Sequence, residues 1–369
     1  MELLTELWDE ARFGSAEAEW QELLAHSDAD PLFLSWPWMH GWWQQFRVHS
    51  EDLLIIAVRD GGKLVGLAPL HRHRARYLKG WLPVQRIEFL GCCCGQPSGL
   101  LSEYLDFILH RDHRQAALQQ LLDALDHQGS WQELLLHNVP SESPLSEALP
   151  GIGKRRELDR QSAYPIDTRG HFGDYLASLG RNTRLKLYNR RKLLDSLGPV
   201  ELRPVDEDGI DELIDRLNDF DRLRFGHEST MNAATRSQLK RLQACMPELS
   251  IGRHSSLLCL DGEPISVVIN FSLGRTIYNM QLGYRERFHK KISLGTLHLG
   301  YALEAAFEDP GIDCFDLLLG GGKNSDYKRH LSPDRREATS WQVMRSSLLK
   351  TLFAINDNGK RLIRRFSAS

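Results

Sequence analysis

LLCLDGEPISVVINFSLGRTIYNMQL, residues Leu257–Leu282, is the stretch that decides the fold. Leu257–Leu260 and Ile265–Leu273 are short apolar runs, and they flank Asp261-Gly262-Glu263-Pro264. Asp-Gly between two such runs predicts a hairpin, because a tight hairpin turn needs positive φ at its central residues. Gly274-Arg275 turns the chain again into a third strand, Thr276–Leu282. A helix over Leu294–Phe307, a strand over Cys314–Leu319 and the triple glycine Gly320–Gly322 complete the pattern.

The same grammar stands earlier in the chain. In LLIIAVRDGGKLVGLAPLHRH, strands over Leu53–Arg59 and Lys63–His71 flank Asp60-Gly61-Gly62. Upstream, Phe33–Phe46 reads as a helix that carries Trp36, Trp38, Trp42 and Trp43, with Asp30-Pro31 as its start signal. Four tryptophans in eight residues cannot all face one core. Downstream come strands over Arg86–Leu90, Tyr104–Leu109 and Glu133–His137. Between the last two, His113–His127 is helical, with Leu118, Leu121, Leu122 and Leu125 on one side. A Ser- and Pro-rich loop, Pro140–Pro150, leads to a strand around Ser162–Ile166, and helices follow over Asp208–Phe225 and Ala234–Met246. The order helix, hairpin, strand, helix, strand occurs twice. It predicts an α/β (mixed α+β) protein with two related units in tandem, over residues 1–165 and 166–369.

Composition sets the outer bounds. The chain has 369 residues, 41% of them apolar, and a net charge of -3. That suits two sizeable cores and excludes a disordered chain or a generally basic nucleic-acid coat. No apolar run reaches the roughly 18–20 residues of a membrane-spanning helix. The acidic start (Glu2, Glu6, Asp9, Glu10) lacks the features of a secretory signal, so a cytoplasmic protein is expected. Cys92, Cys93 and Cys94 are consecutive, Cys245, Cys259 and Cys314 stand alone, and none forms a CxxC pair. They read as small buried hydrophobes. His71 and His73 share a strand face and His110 lies close to His113, but the sequence offers no carboxylate to complete a metal motif, so no metal is expected.

Several patterns carry possible chemistry. Ser293-Leu294-Gly295-Thr296 opens a long helix, whose free N–H groups suit a pyrophosphate. Gly295 lets a backbone or ligand come close, and Lys290 and Lys291 precede the helix. The bland alternative is an ordinary cap made by Ser293. Asp316 is an acid in an apolar strand, either a general base or a structurally bonded carboxylate. After the triple glycine, Tyr327 is suited to protonate a leaving group, and Lys328 to hold an anion. Arg181–Lys192 contains six basic residues and no acid. If helical, it puts Arg181, Arg184, Tyr188 and Arg191 on one side and Leu187, Leu194 and Leu197 on the other. This basic segment reads as a solvated face or a lid over an anionic donor; nucleic acid is the less favoured reading. The tail Leu348–Phe366 is basic and amphipathic, and either packs on the domain or lies on an anionic bilayer as a peripheral contact.

Five segments in order carry a family resemblance. They are FLSWPWMHGWWQQF (Phe33–Phe46), LGCCCGQPSGLLSEYLDFIL (Leu90–Leu109), SAYPIDTRGHFGDYLASLGRNTRLKLYNRRKLL (Ser162–Leu194), LGYRERFHKKISLGTLHLGYALEAA (Leu282–Ala306) and FDLLLGGGKNSDYKRHL (Phe315–Leu331). Together they resemble the CelD-like acetyltransferases of the GNAT superfamily, relatives of the Fem peptidyltransferases. One departure is Leu294-Gly295 where the family usually has Pro-Gly. The resemblance implies a tandem duplicated GNAT (acyl-CoA N-acyltransferase) fold with two mixed sheets flanked by helices. It implies an acyltransferase that moves an acyl group from acyl-CoA, such as acetyl-CoA, to an amine or hydroxyl. The acceptor would be a small molecule or saccharide, in exopolysaccharide or cell-envelope metabolism. Catalysis would fall to Asp316, Tyr327 and Lys328, and donor binding to Lys290, Lys291, Leu294, Gly295, Thr296 and Arg184. A Fem-type enzyme that uses aminoacyl-tRNA, and a non-catalytic partner in polysaccharide assembly, are the alternatives.

Overall fold

The computed structural model describes residues 3–47, 52–92, 102–129, 131–205, 209–226, 233–320 and 327–355. The chain divides into two compact units. The first holds Met1–Gly95, Leu101–Arg160 and the stretch from Ala338 on; the second holds Gln161–Glu337.

The first unit is built on β1 (Leu3–Trp8), β2 (Asp52–Asp60), β3 (Lys63–Tyr77), β4 (Leu82–Phe89), β5 (Ile108–Leu109), β6 (Glu133–Pro140) and β7 (Lys154–Ala163). Its helices are α1 (Glu10–Gly14), α2 (Glu17–Ala25), α3 (Trp36–Phe46), α4 (Arg114–Asp126) and α5 (Leu145–Ala148). The second unit is built on β8 (Pro165–Asp167), β9 (Val200–Pro204), β10 (Ser256–Leu260), β11 (Glu263–Leu273), β12 (Thr276–Tyr284) and β13 (Cys314–Asp316). Its helices are α6 (Phe172–Ser178), α7 (Arg181–Arg184), α8 (Arg191–Asp195), α9 (Ile210–Phe225), α10 (Ala233–Cys245) and α11 (Leu294–Glu308). A last strand, β14 (Arg336–Met344), returns to the first unit.

The first sheet has the order β1-β2-β3-β4-β6-β14-β7, with β5 attached to β3; the second has the order β8-β13-β12-β11-β10-β9. Both are mixed. In each, a helix carries the chain from one strand to a parallel neighbour: β4 to β6 through α4, and β12 to β13 through α11. Both predicted hairpins form with two-residue turns. Gly61 and Gly62 have φ 54° and 90°, and Asp261 and Gly262 have φ 52° and 81°. The pairs Asp60 with Lys63 and Leu260 with Glu263 close them.

Three details correct the sequence reading. Residues from Ala338 on, placed with the C-terminal half, belong to the first unit, because β14 pairs antiparallel with β6 from Ala338–Pro140 to Met344–Glu133. The strands expected over Tyr104–Leu109 and Cys314–Leu319 shrink to Ile108–Leu109 and Cys314–Asp316. Tyr104 (φ 52°) and Leu318 (φ 60°) explain this, since left-handed backbone cannot continue a strand. Leu197, expected on a core-facing side, is 42% exposed.

The first core centres on α3, whose four tryptophans are all buried. They use two surroundings. Trp36, Trp42 and Trp43 join the main cluster, whereas Trp38 packs edge-on against Phe33 at 4.9 Å and donates its indole N–H to Ser102 Oγ at 2.8 Å. Buried tryptophans usually find such a partner, although the indole nitrogen of Trp43 has none among the described residues. In the described part of the tail, Leu349 is buried beside Val84 and Met344, and Phe353 packs on Tyr77. The basic residues Lys360, Arg361, Arg364 and Arg365 lie outside the described residues, as do Cys93 and Cys94. No helix among the described residues is long and apolar enough to cross a membrane.

In the second unit the Arg-rich connector is not one helix. A π turn, Leu185–Asn189, separates α7 from α8. There the carbonyl of Leu187 comes so close to Gly300 of α11 that a Cβ at residue 300 would overlap it. Only glycine lets α11 pass. Gly300→Ala should therefore destabilise the protein by about 2 kcal/mol or more, in the range of core overpacking. Gly173→Ala, in α6 with open space around its Cβ position, should be neutral or stabilise by roughly 0.5–1 kcal/mol. Urea unfolding of the two variants checks both.

Candidate active site

β12 and β13 run parallel for only three register pairs: Thr276 with Cys314, Ile277 with Phe315 and Tyr278 with Asp316. Beyond them β12 continues to Tyr284, while β13 ends. The β11–β12 register also slips between Ile269 and Asn270, leaving Met280 as an extra residue in β12. Such a bulge bends a strand. Two parallel neighbours thus part company and leave a notch, where among the described residues β12 has no ladder partner on that side beyond Tyr278.

Two of the predicted catalytic residues hold this parting in place. Asp316 is buried, and its Oδ1 accepts the N–H of Leu318 at 2.7 Å, which fixes the left-handed turn that ends β13. Lys328 Nζ donates to the carbonyls of Leu317, Leu318 and Leu319 at 2.6, 3.1 and 3.2 Å. That matches the three donors of an ammonium group. Gly320 then pairs with Ser162, and so follows a different neighbour. Gly321 and Gly322 lie outside the described residues. Asp316 and Lys328 therefore shape the site, with Lys328 Nζ bound to three backbone carbonyls.

α11 begins beside the notch. Its cap residue Ser293 makes no side-chain bond to the helix amides; its hydroxyl meets Thr296 Oγ1 at 3.0 Å instead. The N–H groups of Leu294, Gly295 and Thr296 precede the first intrahelical bond, from Leu297 N to Ser293 O. They form the partly positive end that an anion can use. Gly295 has a packing role as well. A Cβ there would stand 2.7 Å from Leu282 Cδ2 and 3.0 Å from the Tyr284 ring, so glycine seats the helix on β12. Lys290 and Lys291 are exposed in the turn closed by His289 and Ile292, just ahead of the helix.

Tyr327 completes this group. It is 38% exposed, and among the described residues its hydroxyl makes no hydrogen bond. Loss of solvent around the phenol, together with nearby Tyr284, pushes its pKa above the ordinary tyrosine value. It therefore stays protonated and able to donate. Arg184 is not brought here. Its guanidinium donates to Leu176 O at 3.4 Å, and Leu176 packs with Leu303 and Ala306, toward the far end of α11. Arg191 pairs through Nη1 with Glu304 and lies over the rings of Tyr301 and Tyr188, at 3.7 and 4.4 Å, while its Nε and Nη2 are buried with no hydrogen-bond partner among the described residues. A cavity of about 410 Å³ opens near Phe307, lined by Asp167, Arg169, His171, Asp174 and Tyr175, away from the notch.

Sequence reasoning missed His298. It is fully buried in α11, between Ser256 of β10 and Ser266 of β11, each at 3.0 Å. Burial pushes its pKa down to about 3. A lone histidine in an apolar helix gives no sign of two serines that only sheet pairing brings together.

Residues 181–329 match the acetyltransferase (GNAT) domain family. No curated protein matches the chain in sequence. Among solved structures, FemX superposes with a TM-score of 0.59 at 11% identity, over 95% of this chain and 99% of that one. A conserved protein of unknown function from Bacteroides thetaiotaomicron VPI-5482 gives 0.56 at 14% identity, over 93% and 100%. A tandem GNAT protein from the clavulanic acid biosynthesis pathway gives 0.51 at 15%, over 93% and 98%. The fold is that of the tandem GNAT proteins.

Two outcomes follow from the tandem GNAT architecture as this chain builds it. Lys328→Met removes the donor for three carbonyls and should cost about 1–3 kcal/mol. Tyr327→Phe should change stability by less than about 0.5 kcal/mol. Denaturant midpoints separate the two. For His298, the unfolded chain binds a proton near pH 6.5 and the folded one does not until about pH 3. Unfolding free energy should then fall as pH drops below about 6.5, by up to ~1.4 kcal/mol per pH unit from this residue. The stability difference between wild type and His298→Gln, followed from pH 7.5 to 5, should show that slope.

Proposed function

We propose that the protein is an acyltransferase that takes an acyl group from acyl-CoA, acetyl-CoA included, and passes it to an amine or hydroxyl of a small molecule or saccharide. The observation that carries this reading is the parting of β12 and β13 beside the uncapped amides of α11, with a protonated Tyr327 in the same neighbourhood. The family match over residues 181–329 supports it.

In this reading the amides of Leu294, Gly295 and Thr296 meet the pyrophosphate of the donor, with Lys290 and Lys291 adding positive charge. The open edge of β12 positions the acyl arm through backbone hydrogen bonds. Holding both substrates together supplies the entropic part of the acceleration. The acceptor nitrogen or oxygen attacks the thioester carbon, and its proton leaves to water. The new C–N or C–O bond forms, the C–S bond breaks, and the thiolate takes its proton from Tyr327, which solvent then reprotonates. Asp316 acts as a positioning residue in this scheme, because its carboxylate fixes the turn at Leu318. No covalent enzyme intermediate is needed.

The likeness to FemX favours a second reading, in which a charged tRNA is the donor. Thermal unfolding with CoA, acetyl-CoA and longer acyl-CoAs decides between them. A ligand at about 100 times its dissociation constant stabilises by roughly 2.7 kcal/mol. The expected result is a shift that grows with one acyl chain. Tyr327→Phe should keep that shift and lose roughly 10²–10⁴-fold in turnover, the usual span of general acid catalysis. No shift with any CoA species, alongside tRNA binding that weakens steeply with salt, would move the assignment to the Fem-type donor.

A further inference from the structure

One face of the first sheet carries a buried polar cluster that acyl transfer does not use. In the β3–β4 register His71 stands opposite Glu88, and His73 opposite Arg86. Arg86 and Glu88 in turn pair with Glu133 and Leu135 of β6. Glu88 and Glu133 are fully buried, and Arg86 nearly so. Arg86 bonds both carboxylates, with Nε at 2.7 Å from Glu133 Oε2 and Nη1 at 3.1 Å from Glu88 Oε1. Glu133 also accepts from Tyr77 and Gln342. Two buried carboxylates thus share one buried guanidinium. A further cation beside such carboxylates would be held by charge as well as by ligation.

The residues around Glu88 are suited to hold that cation. The rings of His71 and His73 stack at 5.7 Å, and His73 Nε2 lies 3.7 Å from Glu88 Oε1. One donor atom from each of His71, His73 and Glu88 falls within 4.8 Å of the others; so does one from each of Glu88, Cys92 and His137. The sequence expectation that no carboxylate accompanies His71 and His73 is overturned. Glu88 is distant along the chain and reaches them only through strand register.

We propose that this cluster binds one divalent ion of the zinc class, held by His71, His73 and Glu88, with Cys92 or His137 completing the coordination. Imidazole, thiolate and carboxylate together select zinc over the oxygen-preferring calcium and magnesium. Zn–N bonds of about 2.0–2.1 Å set donor atoms about 3.4 Å apart in a tetrahedron, a few tenths of an ångström from the His73–Glu88 distance. The supporting contacts also fit. His71 Nε2 lies 3.1 Å from the carbonyl of Cys92, and Arg86 orients Glu88. Metal-binding histidines and carboxylates are held by such outer bonds. Trp42 lies against His71 at 5.3 Å and shields that side from water. The ion would tie β3 and β4 to the turn after β4 through Cys92, or to β6 through His137.

Metal analysis of the full chain tests this directly. The wild-type protein, stripped with a chelator and dialysed against zinc, should retain one equivalent and hold it against a chromogenic zinc indicator. Cobalt loading should give the visible bands of a tetrahedral site, with a thiolate charge-transfer band if Cys92 is a ligand. His73→Gln and Glu88→Gln should each lower zinc affinity at least 10-fold while circular dichroism reports a folded chain. His113→Gln, at a separate histidine pair, should retain the full equivalent. A folded wild-type chain that takes up neither zinc nor cobalt would overturn the proposal and leave a protonated imidazole as the counter-charge. Undiminished zinc binding in folded His73→Gln, or a Glu88→Gln variant that unfolds beside such an undiminished His73→Gln, would overturn it equally.

Discussion

The second unit depends on a turn that two charged side chains hold at the end of β13. Left alone, parallel strands gain by continuing their ladder. Here Asp316 accepts the Leu318 amide, and the Lys328 ammonium collects the next three carbonyls. Backbone groups that would have paired with β12 are thereby satisfied elsewhere. The strands can part without leaving the departing chain unpaired. The stretch of β12 beyond Tyr278, the amides of α11 and Tyr327 all take their meaning from that separation.

This changes how the predicted site residues are weighed. Asp316 and Lys328 are conspicuous in sequence because charge in an apolar run is unusual, and a catalytic role is the natural inference. Their bonds show a positioning role: Asp316 Oδ1 holds the Leu318 amide and Lys328 Nζ holds three carbonyls. Tyr327 looked no more prominent in sequence, yet among the described residues it is the member of the trio whose polar atom makes no hydrogen bond. Gly295 shows a related ambiguity. Its missing side chain admits β12 on one side, while its N–H belongs to the open end of the helix. Packing and anion binding make compatible demands on it.

Much of the fold was legible because it is encoded locally. Asp60-Gly61-Gly62 and Asp261-Gly262 specify their turns through backbone preference, and the long helices α4, α9 and α11 follow from apolar periodicity. Less legible were features that arise only when distant segments meet. Leu318 adopts positive φ because Asp316 and Lys328 hold it there, so apolar composition alone extended β13 too far. The Arg181–Lys192 segment has no proline or glycine to announce a break. Its π turn goes with the close passage of Leu187 against Gly300. β14 reads as an ordinary final strand, and nothing near it says that its partner is β6.

The two units also solve the burial of histidine in different ways. In the second, His298 is neutral and sits between two hydroxyls, so no charge has to be matched. Its demand is met by dipoles, and its cost appears only when acid supplies a proton. In the first, His71 and His73 stand beside carboxylates that already share a guanidinium. An imidazole there can donate its N–H to a neighbouring oxygen and still offer its other nitrogen to a cation. The same residue type is thus a hydrogen-bonded core element in one sheet and a ligand candidate in the other. The difference lies in Glu88, which strand register places beside His71 of β3, and in Glu133, placed beside Arg86 of β4.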